Sequence, residues 1–346
     1  MRLPALLLPL ALTIPLLPSR AAQPIRPKVV VVATFEIGAD TGDKPGEFQF
    51  WAERENLSQS LSLPHLSRPL RYSTNGVFGC VSGTTVRAAT EILALGLSPE
   101  LDLSRTYWLV NGIAGVDPED ASVGSAAWAL NVVDGDIAYE IDSRDAPATW
   151  PYGLVPIGGK APNVINQDAT WAPKPMAWPL NAGLVRWAFD LTRDTPMPDS
   201  DAARVHRALY TSHPAALRPA SVLLGDSLGS CRYWHGAAMT RWANDWTRLH
   251  TASQGNFVMT NMEDHGIAHA LRQLDRMRKV DFNRVLFLRT GSNFCTPAPG
   301  KSAADSMTEE YSGMLPALEA AHRVGSRVVH ELVSHWPKYE SAPPSR

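Results

Sequence analysis

The chain has 346 residues, 45% apolar and 19% charged, with 32 Lys and Arg against 34 Asp and Glu and a formal net charge of −2. That balance excludes an intrinsically disordered chain, which needs low hydrophobicity and high charge, and a basic nucleic-acid binder. Three cysteines, Cys80, Cys231 and Cys295, exclude a disulfide-framed scaffold, and one bridge, Cys231–Cys295, is expected to hold two of the strand-end turns.

In chain order, the first element is a leader. Arg2 supplies a positive start, Leu3–Leu17 is almost wholly apolar, and Ser19-Arg20-Ala21 places small residues at −3 and −1. This predicts a signal peptide over residues 1–21 and a periplasmic or secreted protein. The apolar run is shorter than the ~20 residues a spanning helix needs and contains Pro4, Pro9 and Pro15. No later apolar run comes near 18 residues, so the mature chain is expected to have no transmembrane span. Residues 22–346 are read as one domain.

Lys28–Phe35 is a continuous β-branched run, the pattern of a strand buried on both faces. Val77–Val81 predicts a second strand, and Thr84–Leu97 a helix with apolar residues at helical spacing. Thr106–Asn111 predicts a strand ending in a turn, Gly112-Ile113-Ala114-Gly115. Ala126–Val133 predicts another strand. Pro147–Pro219 holds eleven of the 28 prolines and four tryptophans. It is read as an irregular insertion carrying helices at Ala182–Thr192 and Asp201–Thr211. Ala220–Leu224 predicts a strand ending in Gly225-Asp226-Ser227, and Phe257–Met262 a strand leading into a helix, Glu263–Arg278. Val285–Leu288 predicts a strand ending in Arg289-Thr290-Gly291-Ser292-Asn293, and Ser302–Arg323 a long helix. Alternating strands and helices argue for an α/β fold with a mostly parallel sheet, in which ligands sit outside the carboxyl ends of the strands.

Three motifs point elsewhere. Gly225-Asp226-Ser227-Leu228 resembles the GDSL esterases, with Ser227 as nucleophile. That family carries the block in its first strand and needs a later Asp-x-x-His, which this chain lacks. His330-Glu331 with His335 spaces its histidines five apart instead of the four that put two on one helix face, so no metal is expected. Gly300-Lys301-Ser302 lacks the glycine that opens a phosphate loop, since Cys295 holds that place.

Four pieces at strand ends carry the chemistry. They are Thr34–Gly38 with Asp40–Gly42, Asn111–Gly115 with Gly124, Asn261–Asp264, and Arg289–Phe294. Each alone is also what a turn or a helix start requires: an acid favoured by the helix dipole, or a Ser-Asn bonded to its own backbone. Together, in this order, Phe35–Gly38, Asp40–Glu47 and Gly112–Pro118 resemble the purine nucleoside permease family over nearly all of Lys28–Trp336. More distantly the chain resembles the nucleoside phosphorylase and methylthioadenosine nucleosidase superfamily.

That resemblance implies a three-layer αβα fold of the nucleoside phosphorylase type with a mixed central sheet. It implies Glu36 as the acid that activates water, Met262 against the ribose and Glu263 on its hydroxyls. Arg289 would orient the first acid, and Ser292 would position the group at Asn293, where the superfamily has Asp. Gly112, Ala114 and Gly115 would line the site. Asp226 stands at the turn whose next residues stack on the base, with Tyr233, Trp234 and Phe294 as candidates for the stacking ring. An amide cannot give up a proton, so Asn293 points to a preference for 6-oxopurines, to binding without cleavage, or to Asp264 or Asp226 as the proton source. The implied partner is a purine nucleoside and the implied assembly a homo-oligomer. No cofactor is expected; phosphate would be a co-substrate only of a phosphorylase, with Arg87 able to approach it.

Overall fold

The computed structural model describes residues 23–308 and 311–345, so the expected leader lies outside the described residues. In chain order the elements are β1 (Val29–Ala33), α1 (Gln49–Arg54), β2 (Gln59–Leu61), β3 (Leu70–Tyr72), β4 (Val77–Val81), α2 (Val86–Leu97), β5 (Tyr107–Val116), β6 (Ala126–Trp128), β7 (Asn131–Asp134), β8 (Ala138–Glu140), β9 (Leu154–Pro156) and β10 (Ala177–Pro179). There follow α3 (Ala182–Thr192), α4 (Asp201–Arg207), β11 (Val222–Leu224), β12 (Asp226–Gly229), α5 (Ala237–His250), β13 (Phe257–Asn261), α6 (Asp264–Arg276), β14 (Val285–Phe294), α7 (Ala303–Thr308), α8 (Met314–Ser334) and α9 (Trp336–Tyr339).

One mixed sheet runs in the order β10-β7-β12-β13-β5-β1-β4-β3-β2, with β14 paired to β5 and β6, and β6 to β11. β1 lies between β4 and β5, parallel to both, and all five of its residues are buried. Its unbroken apolar run reflects this, since helices cover both faces of a parallel strand. On one face α2 packs against α6; on the other α8 lies on β14, β5 and β1, with α3 beside it. The fold is thus the expected three-layer α/β arrangement. No described helix is long and apolar enough to cross a membrane.

The structure departs from the sequence reading in six places, each with a physical cause. The strand end expected at Gly225-Asp226-Ser227 is instead the start of β12, which β13 and β7 hold between them. The glycine-rich Gly112–Gly115 is strand, not turn, because β14 runs beside it, pairing Arg289 with Gly112 and Asn293 with Gly115. The Arg289–Asn293 segment is strand for the same reason. The run Ala126–Val133 breaks into β6 and β7, which serve different neighbours: β14 and β11 for the first, β12 and β10 for the second. The helix expected at Ser302–Arg323 is α7 and α8. Proline is tolerated only in the first turn of a helix, and Pro316 takes that place in α8. Finally, the Pro- and Trp-rich segment is only partly an embellishment. Trp178 and Leu180 enter the main core, and α3 buries Leu184, Val185 and Ala188 there.

β5 positions the site. Its first half pairs with β1 on one side and β14 on the other, while near its end Gly115 and Val116 pair antiparallel with β13. Where β1 stops and β13 takes over, the sheet opens a crevice above the ends of β1, β13 and β14.

Candidate functional site

That crevice is a cavity of about 170 Å³. One wall is the end of β1 with the following segment, Thr34, Phe35 and Glu47, and a second is Ile113–Gly115 of β5. Thr260–Glu263 comes from the end of β13, Ser292 and Asn293 from β14, and Arg232, Tyr233 and Trp234 from the loop after β12. Thr84 and Tyr311 complete the lining.

Its floor is a buried ion cluster. The Arg289 guanidinium donates from Nε to both Asp264 oxygens at 3.1 Å and from Nη2 to Asp264 Oδ1 at 2.5 Å. Nη2 also lies 2.7 Å from Glu263 Oε1, and Nη1 3.7 Å from Glu47 Oε1. All four side chains are at least nine-tenths buried. One cation therefore faces three carboxylates, and burying uncompensated charge is costly. Burial pushes Glu47 up against the pull of Arg289. It pushes Glu263 up to about 7, again against Arg289, with Glu47 and Asp264 adding to the rise. Burial alone would lower Arg289, but Asp264, Glu263 and Glu47 hold it far above its ordinary value.

The rise at Glu263 has a stability consequence. Its folded-state value lies above the ordinary 4.5, so the folded chain binds more protons than the unfolded one between about pH 4.5 and 7. Stability from this group therefore falls as pH rises through that window, by up to about 1.4 kcal/mol per unit. Denaturant midpoints at pH 5 and 7.5 should show Glu263→Gln gaining stability relative to the parent at the higher pH. An unchanged difference between the two proteins would refute the protonation.

Glu47 is held by four donors. Its Oε2 accepts from Thr34 N at 2.7 Å, Thr34 Oγ1 at 2.6 Å and Phe35 N at 3.3 Å, and its Oε1 from Ile113 N at 2.7 Å. Gly112 is a glycine because a Cβ there would collide with Arg289 Nη1 and the Glu47 carboxylate. Also in the lining, Ser292 Oγ lies 2.9 Å from Asn293 Oδ1 and 3.1 Å from Ala114 O. This turns Asn293 Nδ2 toward Phe294 O at 3.0 Å and, loosely, Tyr233 OH at 3.5 Å. Tyr233 is 41% exposed.

The structure brings together Met262, Glu263, Ala114, Gly115, Ser292 and Asn293 around the cavity, with Arg289 and Gly112 beneath it. Three expected site residues stand elsewhere. Glu36 does not line the cavity: its carboxylate accepts from the backbone N–H groups of Ile37, Gly46, Phe48 and Gln49 at 2.5–2.8 Å and closes the loop that leads to Glu47. Asp226 opens β12 at the far end of that strand, taking N–H bonds from Leu130, Asn131 and Asn256. Phe294 is buried against Tyr210, ring centroids 3.9 Å apart. Asp264, under Arg289, also stays out of the lining, as does the exposed Arg87.

Sequence reasoning assigned no role to Glu47, Thr84, Arg232 or Tyr311. Glu47 carried a usable signal, a lone acid directly before the apolar start of a helix. The esterase reading fails on geometry: Ser227 is buried, its hydroxyl donates to Asp264 at 2.6 Å, and no histidine bonds it among the described residues. His330 pairs with Glu55 and His335 with Glu331, so they share no metal point. The three cysteines are free, correcting the expected Cys231–Cys295 bridge. Cys295 Sγ sits 3.3 Å from Thr240 Oγ1, whereas Cys231 Sγ faces His265.

The family pattern described as "Purine nucleoside permease (NUP)" matches residues 26–344. The chain belongs to the purine nucleoside permease family. Curated members of the family include a probable purine nucleoside permease of Schizosaccharomyces pombe, 30% identical over 72% of this chain and 73% of that protein. The purine nucleoside permease of Candida albicans strain SC5314 is 27% identical over 91% of this chain and 77% of its own length. Among solved structures, this permease-family chain shares its fold with futalosine hydrolase of Helicobacter pylori, at TM-score 0.53, 12% identity and coverage of 88% and 98%. It also shares it with the 5′-methylthioadenosine/S-adenosylhomocysteine nucleosidase of Neisseria meningitidis in complex with methylthio-immucillin-A, at TM-score 0.51, 16% identity and coverage of 88% and 99%.

Proposed function

We propose that this permease-family protein binds purine nucleosides in the β1–β13–β14 crevice and hydrolyses their N-glycosidic bond. The observation that carries the reading is that two buried carboxylates, Glu47 and Glu263, line the same cavity as the Asn293 amide. Breaking the bond builds positive charge on the ribose and negative charge on the purine. Glu263 accepts the ribose hydroxyls and fixes the sugar, and alignment of that kind lowers a barrier by several kcal/mol. Glu47, raised by burial, takes a proton from water at the anomeric carbon. Asn293 donates a hydrogen bond to the departing purine at N7, held in that orientation by Ser292; the purine leaves with the bonding electrons as its anion and takes its proton from solvent. Tyr233, exposed at the rim, covers the base.

Hydrolysis is favoured over phosphorolysis by the charge of the lining. Arg232 is the single cation that reaches the cavity surface among the described residues, and Glu140 already opposes it at 3.4 Å. Two carboxylates repel a phosphate dianion from the remaining wall. With the leader expected at residues 1–21, the reaction would serve nucleoside uptake from outside the cytoplasm. A second reading, binding without cleavage, is favoured by Asn293, which has no proton to give.

The test is purified protein with inosine, guanosine and adenosine, with and without phosphate, scored for free base by chromatography. Base released without phosphate is the expected result. Release only with phosphate makes the protein a phosphorylase, and binding by calorimetry with no release makes it a binding component.

A further inference from the structure

A second group of side chains converges behind the loop that bears Tyr233 and Trp234. Asp136 lies two residues past β7, Cys231 two residues past β12, and His265 is the second residue of α6, which follows β13. β7, β12 and β13 are parallel neighbours, so their carboxyl ends open side by side. Each delivers one side chain to a common point. His265 Nε2 lies 3.0 Å from Asp136 Oδ2 and 3.6 Å from Cys231 Sγ, and the three ligand atoms fall within 4.8 Å of one another.

We propose that Asp136, Cys231 and His265 form a binding site for a borderline-soft divalent cation of the zinc type, with a fourth position open to solvent. The spacing fits the ion. Zinc bonds of about 2.0–2.1 Å to nitrogen, 2.3 Å to sulfur and 2.0–2.2 Å to oxygen give tetrahedral edges of about 3.6 Å for N···S and about 3.3 Å for N···O. The two edges at His265 need only a few tenths of an ångström of movement, and the Asp136–Cys231 edge, which lies within 4.8 Å, closes toward about 3.6 Å by a shift of at most about an ångström. The donor set discriminates too: a thiolate with an imidazole selects zinc-like ions, whereas magnesium and calcium take oxygen.

The ligands are held independently of any ion. Asp136 Oδ1 accepts the Cys231 N–H at 2.8 Å, tying the two strand ends together. Gly229 lets the imidazole close on bare backbone, since a Cβ there would stand 2.5 Å from His265 Nδ1. An entry path exists, because the Asp136 side chain is 26% exposed and Cys231 is half-buried. Cys80 and Cys295 are buried, and neither belongs to such a cluster among the described residues. A bound ion would fix the start of the loop whose next residues, Arg232, Tyr233 and Trp234, line the cavity.

The test is chelator-treated protein titrated with Co²⁺ and then Zn²⁺, read by metal stoichiometry and absorption rather than by turnover. One equivalent of Co²⁺ should appear with a thiolate-to-cobalt charge-transfer band that Zn²⁺ abolishes. The band should vanish in Cys231→Ser and persist in Cys80→Ser. His265→Gln keeps the thiol and should bind Co²⁺ at least about tenfold more weakly, since even outer partners of a ligand are worth that much. A parent protein that takes up no stoichiometric Co²⁺, or gives no thiolate band, overturns the site. So does a band of equal strength in Cys231→Ser. Either result leaves an ordinary His265–Asp136 ion pair beside a thiol.

Discussion

Replacing Arg289 by Met is expected to destabilise the fold by about 3–5 kcal/mol at pH 8, the cost of leaving buried charges without their partner. The guanidinium is the one cation among Glu47, Glu263 and Asp264, and all three carboxylates sit within 4 Å of it. Methionine keeps the bulk under Gly112 and removes the charge, so the effect reports electrostatics and not a cavity. The sign of its pH dependence is fixed by the same cluster. At pH 5 Glu263, raised to about 7, carries a proton in the folded chain, and the penalty should shrink. Chemical denaturation at pH 5 and pH 8 measures both values. A loss under about 1 kcal/mol at pH 8, the size expected of an exposed pair, would mean that Arg289 is not what compensates the buried cluster.

Glu47→Gln is expected to lower base release about 10²–10⁴-fold, the usual loss on removing a general base. Glu36→Gln should leave the chemical step within about tenfold, because Glu36 touches backbone and not the cavity. Its cost should appear in substrate affinity and thermal stability, since one amide oxygen cannot take all four N–H groups that the carboxylate holds. Single-turnover rates separate chemistry from binding in the two variants. A larger chemical loss at Glu36 than at Glu47 would return the base role to Glu36.

These two glutamates show how far the sequence could be read. Phe35-Glu36 follows a buried strand, and an acid at a strand end is the pattern a catalytic carboxylate leaves. The same pattern results when a carboxylate closes a loop neck, because backbone N–H groups need an acceptor as much as a substrate does. Only the path of residues 37–46, which returns Glu47 N to Phe35 O at 3.1 Å, decides between them. That return has no periodicity to betray it. By contrast, β1, β4, α2, β13 and α3 were legible to within a residue or two, because each obeys one repeat and lies in one environment. Met262-Glu263 was legible for the same reason, as the junction of a strand and a helix. The extended course of Gly112–Gly115 was not, since a glycine run states only that side chains are unwelcome. Here the cause is the Arg289–Glu47 pair pressed against it, 177 residues away in sequence at Arg289 and far from any local rule.

The wall formed by β5 has a further consequence. Ile113, Ala114 and Gly115 line the cavity from a strand paired along its length with β14, and at Gly112 beside them the Arg289–Glu47 pair leaves no room for an added carbon. Drift in sequence can hardly remodel that side. The malleable lining is the rim: the 232–234 loop and Tyr311, joined through the Tyr233 and Tyr311 hydroxyls. Diversification of ligand choice among descendants of this chain would therefore be written at the rim, on loops, while the floor is inherited unchanged.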